Sequence, residues 1–329
     1  MVYVHYFQRY LQSIKLSLDF AMDLNSNLSE QKFSEAASQD RLGESPLWDH
    51  RRGLLFWVDI DNGIIHSLEP ESKQILNYAL HEKIGCLALA GERDFILATE
   101  SGFYLWNPET NHKQLLLAVQ LPDDRMLFND GKIDPIGRFW IGSKGPQGMS
   151  GLWILKNNNL EEKIPNLSIS NGLDWDVERG YFYHTDSAEN TIYRYKIDPE
   201  FKNLSDKEAF FQTTMGTPDG MTLDTEGNIW TAIWDGWKVI QLNPEGKILT
   251  EIALPVQRPT SLAFGGKDFK SLFITSAFVG LSESERQSQA SAGNLFMLKT
   301  SSSGSASKIF KILNSKINFA EFFNSFKIS

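Results

Sequence analysis

The chain has 329 residues, a formal net charge of −9, 41% hydrophobic and 12% aromatic residues, and a single cysteine. An acidic balance without any run of five Lys or Arg repels a nucleic-acid backbone, so nucleic acid is set aside as a partner. No stretch reaches the roughly 18 apolar residues of a membrane span, and the lone Cys86, inside an apolar strand pattern, allows no internal disulfide, which favours a reducing, cytoplasmic setting.

At the start of the chain Phe7, Leu11, Ile14 and Leu18 follow a helical spacing, which predicts a short amphipathic helix, and the polar stretch 25–40 reads as a loop approaching a first strand. This opening lacks the continuous apolar centre and small-residue cleavage site of a signal peptide. A repeat then begins. Six short apolar runs open at Glu44 (ESPLWD), Gly85 (GCLALA), Asn129 (NDGKID), Asn171 (NGLDWD), Asp219 (DGMTLD) and Thr260 (TSLAFG), spaced 41, 44, 42, 48 and 41 residues apart. Most end in a turn at Asp49, Asp134, Asp176 or Asp224, and an aromatic-rich strand follows: LLFWVDI, RFWIGS, GYFYHTD, NIWTAIW, SLFITSA. A third run often closes on Asn-Pro or Asp-Pro, where proline cannot donate to a strand ladder.

A period in the low forties with several strands per unit predicts an all-β, six-bladed β-propeller with short N- and C-terminal extensions. The predicted organisation is an extension over 1–40, the propeller over 41–300, and a linker and tail over 301–329, where SSSGSAS is linker-like and the following apolar tail has no assigned surface. Equivalent repeat positions occupy equivalent places in a ring, so the six opening residues should line one mouth of the central channel. Two carboxylates and two amides gathered there suit a hard or borderline divalent cation. A single Asn or Asp before a strand is usually only a turn residue; four in phase are harder to dismiss. His184, in a strand core, reads as a packed side chain, and no GxSxG nucleophile elbow occurs.

The motifs LGESPLWD, FNDGKIDPIGRFWIGS, ISNGLDWD, PDGMTLDTEGNIWTAIW and TSLAFGG, spread from about Leu42 to Leu298, resemble the gluconolactonase, regucalcin and luciferin-regenerating-enzyme family. The resemblance implies one divalent metal ion (calcium, zinc, magnesium, manganese or iron) held by residues matching Glu44, Asn171 and Asp219. It implies that Asn129 contacts substrate and that Asp219 acts catalytically on water. The implied activity is hydrolysis of a sugar lactone such as gluconolactone, with a broader esterase or phosphotriesterase, or a non-catalytic metal-binding propeller, as alternatives. The family pattern has Arg at the place of Leu127 and Met at that of Lys144; Arg125, two residues before Leu127, is the candidate replacement in substrate binding. The oligomeric state is left open.

Overall fold

A computed structural model describes residues 33–156 and 159–312. The predicted amphipathic helix and most of the apolar tail lie outside these residues. Six antiparallel four-stranded sheets form the six blades, and each inner strand sits beside the inner strands of both neighbouring blades, which closes the ring. The inner strands are Gly43–Asp49, Ile84–Ala90, Leu127–Ile133, Ser170–Asp176, Thr217–Leu223 and Pro259–Gly265. Their side chains are mostly buried because neighbours cover them on both faces, whereas outermost strands such as Gln74–Ala79 are mostly exposed.

The cores lie between blades. Six apolar clusters each join residues of adjacent sheets, for example Trp140, Leu152 and Ile154 of blade three against Trp175, Phe182 and Tyr195 of blade four. Trp140 and Trp175 meet edge to face, with centroids 5.5 Å apart, an arrangement aromatic pairs favour. Cys86 is one such buried core residue.

The aspartates at the far end of the inner strands hold turns. Asp134 accepts from the backbone N–H of Ile136 and Arg138 at 3.1 and 2.8 Å, and from the indole of Trp140 at 2.9 Å. Asp224 repeats the pattern with Glu226, Asn228 and Trp230. A buried carboxylate in a turn is tolerable because several donors satisfy it.

Two features fall outside the repeat. Ser34–Ala36 pairs with Leu295–Lys299 as the outermost strand of blade six, so the propeller begins inside the segment assigned to the N-terminal extension. A three-residue strand carries no periodicity, and only the partner ladder reveals it. The closure is fastened by Asp40, whose N–H donates to Gly293 O at 2.7 Å and whose carboxylate takes the Trp57 indole at 2.8 Å and lies 2.9 Å from His66 Nε2. The Ser-rich stretch after Thr300, in turn, is no free spacer. Thr225 N donates to Ser303 O, Gly304 N to Phe269 O, Phe310 N to Leu89 O and Lys311 N to Gly137 O. The segment therefore runs as a strap from blades five and six, across the lower end of the channel, to blades two and three.

Candidate active site

At the same point of all six inner strands, pairing with the second strand slips by one residue. Such a bulge sets two residues against one and re-aims their side chains. The first bulged residues are Ser45, Asn129, Asn171, Asp219 and Thr260, with Gly85 in the slip of blade two. Glu44 thus stands one residue ahead of the phase shared by the other five. Ser45, at φ 52°, turns the backbone through the left-handed region directly after it.

The ring divides into two halves. Thr260 donates to Gly43 O at 2.5 Å and bonds Thr275 at 2.8 Å, fastening blade six to blade one. Gly85 is where a Cβ would collide with the backbone of Phe128, and a Cβ on Gly172 would lie 2.6 Å from Asp219 O. These glycines let neighbouring inner strands touch. Asn129, Asn171 and Asp219 form the other half. Asn129 Nδ2 donates to Ser170 O at 3.0 Å and to Asn171 Oδ1, while Asn171 Nδ2 donates to Ser187 Oγ at 2.7 Å. The Ser187 hydroxyl in turn donates to Pro218 O at 2.7 Å, so one chain of bonds ties blades three, four and five. Both amide hydrogens of Asn129 are committed, and its carbonyl oxygen is left as an acceptor. Asn171 Oδ1, with one lone pair on Asn129, keeps a second for a ligand.

Glu44, Asp219 and Asp130 are buried carboxylates in one field. Burial pushes the Glu44 carboxyl well above its usual range, and the charges of Asp219 and Asp130 add to this, with Lys144 opposing. Asp219 is raised likewise by burial and then by Asp130, and burial brings Asp130 to about 6. Among the described residues, Asp219 Oδ1 is buried without a hydrogen-bond partner, and Glu44 accepts only a long 3.4 Å contact from Ser45 N. Uncompensated anionic oxygens of this kind are costly unless a cation meets them. Among the described residues no three His, Cys, Asp or Glu gather as a metal cluster, so an ion here would rely on an amide oxygen beside the carboxylates. The donor set of two carboxylates and one amide oxygen fits a divalent cation.

Residues 42–278 match the model of the SMP-30/gluconolactonase/LRE-like region. The chain belongs to this family. It is 34% identical over 277 residues to a 6-deoxy-6-sulfogluconolactonase of Pseudomonas putida, covering 82% of this chain and 94% of that one. Regucalcin of Xenopus laevis is 30% identical over 270 residues, covering 78% and 90%. Among solved structures, the calcium-binding regucalcin of Agrobacterium tumefaciens superimposes with a TM-score of 0.80 at 23% identity, covering 84% of this chain and 97% of that chain, a likeness of fold.

This family member departs from expectation at Arg125. Its guanidinium bonds Asp123 at 2.8 and 2.7 Å and its side chain is 72% exposed, so the structure holds it at the surface and does not bring it to the bulged residues. Arg125 precedes the strand that starts at Leu127, so the alternation of that strand does not set its direction. Leu127 itself is buried in an apolar cluster with Ile84, Leu97 and Ala277.

Sequence reasoning missed Asp130 and Ser187. Asp130 was legible as the second residue of NDG, at a bulge where both residues are re-aimed. Ser187, on a short 3₁₀ turn of Ser187–Glu189, left no signal. A cavity of about 300 Å³ fills the lower channel, reached by Asp130, Lys132, Asp174 and Ser261 and floored by Ser305–Lys308 of the strap. Lys132 is spent there on Asp174, at 2.5 Å.

Proposed function

We propose that the protein hydrolyses a sugar lactone to its aldonic acid at the Glu44–Asn171–Asp219 site, with one divalent cation held by those three side chains. The observation that carries this reading is the buried, unpartnered Asp219 Oδ1 beside Glu44 and an Asn171 oxygen with a spare lone pair. The names of the relatives support the reaction class, and the name of one neighbour supports calcium among the candidate ions. A bound divalent cation would polarise the ester carbonyl and oppose the charge that builds on it.

The residues of the chain supply the rest. Asp219 orients the attacking water through the carboxylate oxygen not given to the cation and takes its proton as the water oxygen bonds the acyl carbon. The acyl–ring-oxygen bond breaks, the proton held on Asp219 passes to the leaving ring oxygen, and the acid formed loses its remaining proton to solvent. Asn129 Oδ1, facing no donor, accepts from a substrate hydroxyl or the water. The Asn129–Asn171–Ser187 chain holds the two amides in register across blades, which counts because a misplaced group loses rate steeply. The lone buried cysteine is in keeping with a cytoplasmic enzyme.

The test is acid release in a pH-stat on gluconolactone, xylonolactone and galactonolactone, with chelator-treated and cation-reconstituted protein. The reading expects turnover that chelation abolishes and reconstitution restores. Equal rates before and after chelation would remove the cation from the reaction, and no turnover on any lactone would remove the reaction itself.

A further inference from the structure

We propose that Lys144 is the substrate-contacting cation of this site: its ammonium donates to the acyl oxygens of the lactone as the ring opens and holds the carboxylate of the product. The proposal rests on the lactonase reading for the reaction and on the geometry of this chain for the residue.

Lys144 ends the second strand of blade three, Phe139–Lys144. It is paired across the sheet with Leu127, two residues before Asn129, and bridges Ile169, two residues before Asn171. The next residue, Gly145, donates its N–H to Ser168 O at 3.0 Å. The lysine is therefore wedged between the entries of the two inner strands that carry the site amides. Directly opposed residues in an antiparallel pair have Cβ atoms about 5 Å apart and share a face, so the charge at 144 occupies the ground beside an apolar Leu127.

Its chemistry is unassigned by any contact. Lys144 makes no ion pair and no side-chain hydrogen bond among the described residues, and it is only partly buried. The neighbouring Lys132 is already tied to Asp174. The field of Lys144 nevertheless reaches Glu44, Asp130 and Asp219. With a divalent cation bound, those three carboxylates leave one negative charge uncompensated, which a single ammonium offsets. Hydrolysis then adds a new carboxylate to a place already lined by three, and an untethered ammonium on a flexible stem can follow it.

The test uses the full chain with Lys144→Met and Lys144→Arg. Charge-assisted hydrogen bonds of this kind correspond to roughly 10- to 100-fold. Lys144→Met should lower kcat/KM on gluconolactone by about that factor and weaken gluconate binding, read by calorimetry on cation-loaded protein, to a similar extent, while Lys144→Arg retains most of both and cation affinity stays within a few-fold. Unchanged gluconate binding in Lys144→Met overturns the proposal, as does a loss that tracks weakened cation binding. Wild-type protein that binds gluconate but turns over no lactone defeats the lactonase reading and leaves the calorimetric comparison to decide on Lys144.

Discussion

His184 sits in the second strand of blade four, fully buried behind Asn171, with Nε2 2.8 Å from Ser170 Oγ and Nδ1 without a partner. Burial, and secondarily the charge of Lys207, drives its pKa from 6.5 down to about 3. A base depressed in the folded state contributes its full stability above pH 6.5, and that contribution is lost as pH falls toward 3, because only the unfolded chain takes up the proton. The slope is about 1.4 kcal/mol per pH unit, so roughly 3 kcal/mol disappears between pH 7 and pH 4. Urea unfolding of wild type and His184→Gln across that range isolates the effect, since acid losses from carboxylates are common to both and cancel in the difference. Glutamine can still bond Ser170, so its fixed cost enters at every pH while the slope does not. Parallel stability curves, or an imidazole that titrates near 6.5 in the folded protein by NMR, would refute the reasoning.

Asp219→Asn should weaken cation binding by more than about 100-fold, because even outer partners of metal ligands are worth about 10- to 100-fold; calorimetry with calcium or zinc checks this, and wild-type affinity would take Asp219 out of the ligand set. Arg125→Ala should leave lactone turnover within about twofold of wild type, as an exposed ion pair contributes little; a larger fall in kcat/KM would return Arg125 to the site. Phe310→Ala, at the end of the strap, should cost about 2 kcal/mol, less than a fully buried aromatic since Phe310 is partly exposed. Urea denaturation reads that loss, and an unchanged midpoint would mean that the strap contributes nothing to the ring.

The repeat made the fold legible. Hairpin punctuation at Asp49, Asp134, Asp176 and Asp224 and a period in the low forties are local signals, and local signals survive in sequence. The same periodicity singled out Glu44, Asn129, Asn171 and Asp219, since residues equivalent in a repeat are equivalent in a ring. What periodicity cannot express is departure from it. The strand Ser34–Ala36 exists only because blade six lacks an outer partner, and the strap after Thr300 is held by backbone bonds to four distant blades. Composition alone reads both as spacers.

The site shows the same division at the scale of side chains. The types of residue at the mouth came from sequence, but the bulge that puts Glu44 one residue out of phase, and the left-handed turn at Ser45 that follows it, belong to the paired sheet. Arg125 and Lys144 were both visible as cations near the motif. Only strand pairing placed Lys144 opposite Leu127 and left Arg125 on Asp123 at the surface. Charge and period are properties of the chain; direction and distance are set when blades pack, because neighbouring backbones, not neighbours in sequence, fix where each side chain can go.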